Sequence, residues 1–381
     1  MEYTIKLYTE EYFEQCAEIE RYLWKEDFEG RKMRFDWTYH KNPNYNKSLS
    51  VIAVTPDNEV VGFRGIFLNK FIIGGKSEVV AQICDTVIVP SARKQGLFSK
   101  MNRFSIDALR KEGIKLILDT GPSWIPYYGN KKIGFADLMS LRHMYDFSWG
   151  RILKKRLLGS QENFHNINNI EFVKNSIKYK ITDSLSDKEI QSICALDRLG
   201  SIHSFVDPDN LKWRMTRTNK FYRFVQAFDA NDVLLSFLML SSIDLKDFNL
   251  GLVLYSDRNY VKKSYRFFRE YCKPIEVLVW KPEGDANESK LLRKLGFHTI
   301  PFLHCIRKTP PALIYSLQYD RVGEINWEIN GINVLEANSW NLSAGGNLAA
   351  SNIRNLECPS YEVYLIDYGC GKFNKKVHIM E

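Results

Sequence analysis

The chain has 381 residues, 45% of them hydrophobic and 13% aromatic, which excludes a disordered polymer and exceeds one domain of ordinary size. Its formal net charge of +8 is spread along the sequence, with local clusters at Arg151 to Arg156 and Lys174 to Lys180. No stacking platform or basic recognition helix accompanies those charges, so they read as solvated linker and as general attraction for anionic small ligands, and nucleic acid is not an expected partner.

The N-terminal run MEYTIKLYTEEYFEQ is too acidic and polar for a signal peptide, and no run reaches the length of a membrane span, so the expected address is the cytoplasm. Ser50 to Thr55, a Pro-Asp-Asn turn and Val60 to Phe67 read as a hairpin, and Gly74-Gly75-Lys76 as a second turn before a strand ending at Val89. Pro90 stops that strand, and Leu97, Met101, Phe104 and Ala108 then recur at helical spacing up to Gly113. Ile114 to Leu118 is the next short apolar strand.

Between strand and helix lies Arg93-Lys94-Gln95-Gly96. A helix N-terminus carries unpaired N–H groups and partial positive charge, a glycine lets an anion approach, and Arg93 and Lys94 add full charges. The segment is a candidate phosphate cradle, although neither a P-loop nor a G-x-G-x-x-G fingerprint. It resembles motif A of the GNAT superfamily of N-acetyltransferases, Arg/Gln-x-x-Gly-x-Gly/Ala, with Phe98 in place of the last small residue. Lys132-Ile133-Gly134-Phe135 is similar to the Lys-Leu-Gly-Phe that closes the GNAT core, and the resemblance covers residues 1–150.

A weak internal repeat extends the reading. Arg34-Phe35-Asp36-Trp37 is echoed around Lys212-Trp213, and Lys132 to Phe135 by Lys294-Leu295-Gly296-Phe297. The second copy has Ser256-Asp257-Arg258-Asn259 where the cradle stands in the first. The expected architecture is α/β (α+β layered), with two GNAT-like domains, each a mixed, mostly antiparallel sheet flanked by helices. Residues 1–150 form the catalytic domain, 151–180 a linker, 181–310 a degenerate second domain, and 311–381 an extension with strand-like runs at Ile332 to Leu335 and Tyr361 to Ile366.

The resemblance implies transfer of an acyl group, most simply acetyl, from acetyl-CoA to a small-molecule amine by direct attack in a ternary complex. Backbone groups of Val87, Ile88 and Val89 would hold the pantetheine arm. Arg93, Lys94, Gln95, Gly96, Leu97, Phe98 and Ser99 would hold the pyrophosphate. For the base, Asp85 shares the Val87 face of its strand, with pairing to Arg64 as the structural alternative. GNAT enzymes often use a Tyr acid four residues before the closing glycine, where this chain has Asn130; Tyr127 and Tyr128 are the nearest phenols, as acids or as packing residues. Cys84 reads as a nucleophile or an apolar filler, and the seven scattered cysteines, with no C-x-x-C, as reduced thiols. No histidine spacing suggests a metal. An amino sugar or cell-envelope polysaccharide precursor is the expected acceptor. The rival readings are a Fem-type aminoacyltransferase drawing on charged tRNA and a non-catalytic GNAT-fold module.

Overall fold

The computed structural model describes residues 2–44, 48–150, 152–153, 169–196, 200–217, 220–282, 286–300 and 310–341. The expected strand at Tyr361 to Ile366, most of the Arg151 to Arg156 cluster, and Cys305, Cys358 and Cys370 lie outside them. In the first half, β1 (Thr4–Leu7) leads into α1 (Phe13–Ile19) and α2 (Phe28–Phe35), followed by β2 (Val51–Val54). Asp27 starts α2 by accepting the Gly30 amide at 2.7 Å, and a wider π turn over Asp36–His40 ends it. Asn58 at φ 62° turns the chain into β3 (Val60–Ile73), and Gly74 and Gly75, both at positive φ, return it as β4 (Lys76–Ile88). Next come α3 (Leu97–Lys111), β5 (Leu116–Asp119), α4 (Trp124–Ile133), β6 (Ala136–Met139) and β7 (Leu141–Phe147).

The second half contains β8 (Ile170–Lys174), β9 (Ile177–Thr182), α5 (Asp187–Cys194), β10 (Ile202–Ser204), α6 (Pro208–Met215), β11 (Phe221–Phe228), β12 (Leu234–Ser242), β13 (Asp247–Tyr255), α7 (Arg258–Tyr271), β14 (Glu276–Pro282) and α8 (Ala286–Leu295). Beyond them lie β15 (Ala312–Ser316), the small hairpin β16 (Glu328–Ile329) and β17 (Ile332–Asn333), and β18 (Trp340–Asn341). One sheet runs β1-β2-β3-β4-β5-β15-β6, and the other β8-β9-β11-β12-β13-β14-β7. Each is antiparallel along most of its length, with one parallel step, β4 beside β5 and β13 beside β14. The unit β1-β2-β3-β4-α3-β5-α4 of the first sheet therefore recurs as β9-β11-β12-β13-α7-β14-α8 in the second.

The two halves exchange a strand. β15 inserts between β5 and β6, and β7 inserts beside β14, where Tyr145 also bridges His298. Only Ser140 separates β6 from β7, too short for a hairpin, so the chain runs on into the other sheet instead of folding back. The sheets thus divide the chain differently from a cut at residue 150. Residues 311–341 also return to the first sheet: β10 pairs with the end of β3 and with β18, and Trp340 packs buried against Phe71. Each exchanged strand is tied to a helix of its host. Tyr265 and Arg269 of α7 bond Asp146 of β7 at 2.7 and 3.3 Å, and Arg110 of α3 donates to the carbonyl of Leu317, just past β15, at 3.3 Å.

The repeated tryptophans meet at the junction. Trp37 and Trp213 stack with centroids 4.3 Å apart and planes 10° from parallel, and each indole N–H donates to the other residue's carbonyl, at 3.1 and 2.9 Å. That reciprocity is the local signature of a two-fold relation between the copies. Within the first sheet, α3 and α4 cover one face through Ile66, Leu68, Ala81, Ile106, Leu109 and Tyr127, while α1 and α2 cover the other through Phe35, Tyr39, Phe63 and Val87.

Candidate active site

A fork opens in the middle of the first sheet. β4 pairs with β5 only at Val80, Ala81 and Gln82, and from Ile83 to Ile88 it pairs with β3 alone. A bulge sits at the divergence, where the register slips between Phe63 and Gly65 and Asp85 takes φ 45°. Past it, the Val89 amide donates to Val61 at 2.9 Å and its carbonyl accepts the Ala92 amide at 3.0 Å. The Val89 amide is therefore committed to the β3 ladder, and its carbonyl already accepts one bond. Alternation along an antiparallel strand then turns the Ile88 amide toward the open edge, while its carbonyl accepts from Arg93 Nε at 3.0 Å. Val87 is buried among Phe35 and Tyr39 and pairs with Phe63.

The cradle lies at the mouth of this fork. Gly96 caps α3 in the left-handed region at φ 73°, with no side chain bonded to the helix end, and the first intrahelical bond runs from Lys100 N to Gly96 O. The amides of Leu97, Phe98 and Ser99 precede that bond. Lys94 also has positive φ, Arg93, Lys94, Gln95 and Ser99 are exposed, and Gln95 touches the Ser91 carbonyl at 3.4 Å. The Leu97 side chain is buried beside Ala92 and Met101 and takes no part in the opening. Phe98, the departure from the small-residue pattern, lies against α4: a Cβ at Gly129 would come within 2.3 Å of its ring. The side chain gained on α3 is matched by one missing on α4, a pairing that no spacing in the sequence announces. At the equivalent end of α7, the Asp257 carboxylate accepts the Asn259 amide at 2.9 Å, so a protein anion already occupies the helix terminus.

On the α1 and α2 face, Asp85 sits in a buried ion network. Its carboxylate accepts Trp24 Nε1 at 3.1 Å, Arg34 Nη1 at 3.2 Å and the Tyr39 hydroxyl at 2.7 Å. Arg34 also bonds Glu26 and the fully buried Glu20, whose carboxyl burial pushes well above its ordinary range. The partner of Asp85 is thus Arg34 and not Arg64, because the bulge leaves Asp85 facing α2 while Arg64 points to the α3 face. The Tyr39 hydroxyl also touches Cys84 Sγ at 3.2 Å, and a Cβ at Gly65 would lie 1.9 Å from that hydroxyl. Burial, and then Asp85, raise the Cys84 thiol well above its ordinary range, so it stays protonated and serves as a packing group.

On the α3 and α4 face, Arg64 Nη1 donates to Thr86 Oγ1 at 3.2 Å and its guanidinium stands 5.7 Å from the Phe98 ring centre. Asn130 is buried and donates to Asp119, the last residue of β5, at 2.9 Å. The phenols lie elsewhere: Tyr127 donates to Asp137 at 2.9 Å, and Tyr128 is exposed and stacks on Trp124. The chain places neither at the bulge beside Asp85 through any contact. Burial pushes Asp119 up to about 6, opposed by Arg64. The folded state therefore holds this proton more tightly than the unfolded chain, and that stabilisation is present below about pH 4 and lost as pH rises through about 6. Asp119→Asn, which keeps an acceptor for Asn130 but never ionises, is expected to gain on the order of 2 kcal/mol over the wild type at pH 8 and almost nothing at pH 4. Urea unfolding at both pH values measures this, and an equal effect at both would place the ionisation of Asp119 outside this window.

The acetyltransferase (GNAT) domain family matches residues 4–136. That stretch, and not the whole chain, is matched by the GNAT acetyltransferase domain. The fork, the bulge and the cradle all fall in this GNAT region. Solved structures extend the likeness over both halves as a fold. A conserved protein of unknown function from Enterococcus faecalis V583 superposes with a TM-score of 0.60 at 12% identity, covering 83% of this chain and 73% of that one. A tandem GNAT protein from the clavulanic acid biosynthesis pathway gives 0.52 at 10%, covering 84% and 100%. The Saccharomyces cerevisiae N-myristoyltransferase with bound myristoyl-CoA gives 0.51 at 11%, covering 82% of each. No curated protein sequence matches the chain. No helix among the described residues is long and apolar enough to cross a membrane.

Proposed function

We propose that this protein is an acyl-CoA-dependent N-acyltransferase that works with the fork of its GNAT domain alone. The observation that carries the reading is the contrast between two equivalent helix ends: α3 is left open behind Gly96, whereas α7 is closed by Asp257. Arg93, Lys94, Gln95 and the amides of Gly96, Phe98 and Ser99 receive the pyrophosphate, and the Ile88 amide, with Val87 behind it, receives the pantetheine arm and the thioester oxygen. An acetyl group is the simplest cargo, and the acceptor is a small-molecule amine such as an amino sugar or an envelope polysaccharide precursor.

The neutral amine attacks the thioester carbon, the C–S bond breaks, and the sulfur leaves with a proton while the amine loses one. Asp85 is the base in this reading. Three donors fix it at the bulge, and an incoming amine replaces one of them. Tyr127 is committed to Asp137 and is not needed, so the thiolate takes its proton from water or from the acid form of the base. The test is amine-dependent release of free coenzyme A thiol. The wild type is expected to turn over, and Asp85→Asn, which keeps an oxygen for Trp24 and Tyr39, to lose about 10²- to 10⁴-fold in kcat. Wild-type turnover in a folded Asp85→Asn variant would leave Asp85 a purely structural residue, and absence of turnover with every amine would sink the enzyme.

A further inference from the structure

The least satisfied charge in the described part of the molecule is Arg64. It is 1% exposed, yet of its three guanidinium nitrogens only Nη1 has a partner, Thr86, while Nε and Nη2 have none. A buried guanidinium with two unpartnered nitrogens is costly, and burial pulls its pKa down to about 10. Its surroundings place it in the fork: Thr86 on β4 past the last pairing with β5, Phe98 on the first turn of α3, and Asp119 at the end of β5, within its field but not bonded to it. Two further atoms on this face are also unpartnered, Asn102 Oδ1 on α3 and Asn130 Oδ1 on α4. Their amide nitrogens are committed, to the Phe98 carbonyl and to Asp119. A core position that served packing alone would not keep these groups unsatisfied.

The open edge of Arg64 has a definite chemistry. Nε and Nη2 lie on one side of the planar guanidinium and offer two parallel N–H donors, the fork that fits the two oxygens of a carboxylate. We propose that Arg64 is a carboxylate-binding residue at the reaction centre, and that one of the two reactants carries a carboxylate into the fork. This rests on the reading of the fork as the acyl-donor site. The carboxylate has two possible sources, the free end of a dicarboxylic acyl group on the donor or a carboxylate on the amine acceptor.

The experiment compares donors on the full-length protein by calorimetry: free coenzyme A, butyryl-CoA and succinyl-CoA, the last two differing by a methyl against a carboxylate. With the carboxylate on the donor, the wild type binds succinyl-CoA at least 10-fold more tightly than butyryl-CoA, and Arg64→Met brings that ratio to about one without changing the affinity for free coenzyme A. With the carboxylate on the acceptor, the two donors bind alike, and kcat/KM for γ-aminobutyrate exceeds that for butylamine at least 10-fold in the wild type only. Arg64→Lys, which keeps charge without the fork, falls between in either case. Arg64→Met is also expected to melt no lower than the wild type, since it removes an unpaired buried charge. Absence of both preferences, or their survival in Arg64→Met, overturns the proposal while free coenzyme A still binds. Failure of free coenzyme A to bind the wild type overturns the donor-site reading beneath it and this proposal together.

Discussion

Gly96→Glu is expected to abolish saturable binding of acetyl-CoA while the protein stays folded. A Cβ at Gly96 meets nothing within 4 Å, so the substitution causes no clash. The residue sits at φ 73°, where a side chain costs about 1 kcal/mol, a modest fraction of the stability of a protein this size. The effect on binding is larger for two reasons. The glutamate carboxylate can reach the amides that precede the Lys100 to Gly96 bond, as Asp257 does at the end of α7, and it places a negative charge where a pyrophosphate has to sit. A loss of at least 100-fold is expected. Calorimetric titration should show one site per chain in the wild type and no measurable heat of binding in the variant. Gly96→Ala separates the contributions, since it carries the backbone strain without the charge and is expected to lose far less. Two sites per chain in the wild type would mean that the capped end of α7 also binds, and unchanged binding in Gly96→Glu would move the donor away from α3.

Trp37→Ala carries the largest expected cost in stability. The side chain is 7% exposed, stacks on Trp213 and packs against Phe67 from β3, so truncation leaves a cavity bounded by both halves of the chain. It also leaves the Trp213 carbonyl without the Trp37 indole N–H, although the Thr216 hydroxyl still donates to it. Loss of a buried indole costs about 3–5 kcal/mol. Trp213→Ala is expected to cost a similar amount, because the contact is reciprocal, and the double variant about 1 kcal/mol less than the sum of the two, as for residues in direct contact. Urea unfolding of the single and double variants measures this. Strict additivity, or a single loss below about 1 kcal/mol, would mean that the two halves are held together chiefly by the exchanged strands.

Those strands explain why the division of the chain was less legible than its elements. The hairpins at Val51 to Val89, the α3 periodicity and the stop at Gly113 depend on turn chemistry and side-chain spacing, which act over a few residues, and all were readable. The destination of β7 depends on the single residue Ser140 between it and β6, and on an empty position beside β14, more than a hundred residues away. Nothing local encodes such a partner.

The same distinction runs through the site. The open turn before α3 is legible in the amino-acid sequence, because Arg93, Lys94 and Gly96 stand between a strand and a helix with clear local signals, and so is the repeat, because Trp37 and Trp213 recur in matching surroundings. Which side chains face one another was settled by packing. The bulge at Asp85 turned that carboxylate toward Arg34 and left Arg64 on the opposite face; Gly129 made room for Phe98; and the divergence of β4 from β5 created a fork in which a buried guanidinium keeps two donors open. Each of these is a relation between segments brought together by packing, and burial, which gives an unpaired charge its energetic weight, exists only once they have met.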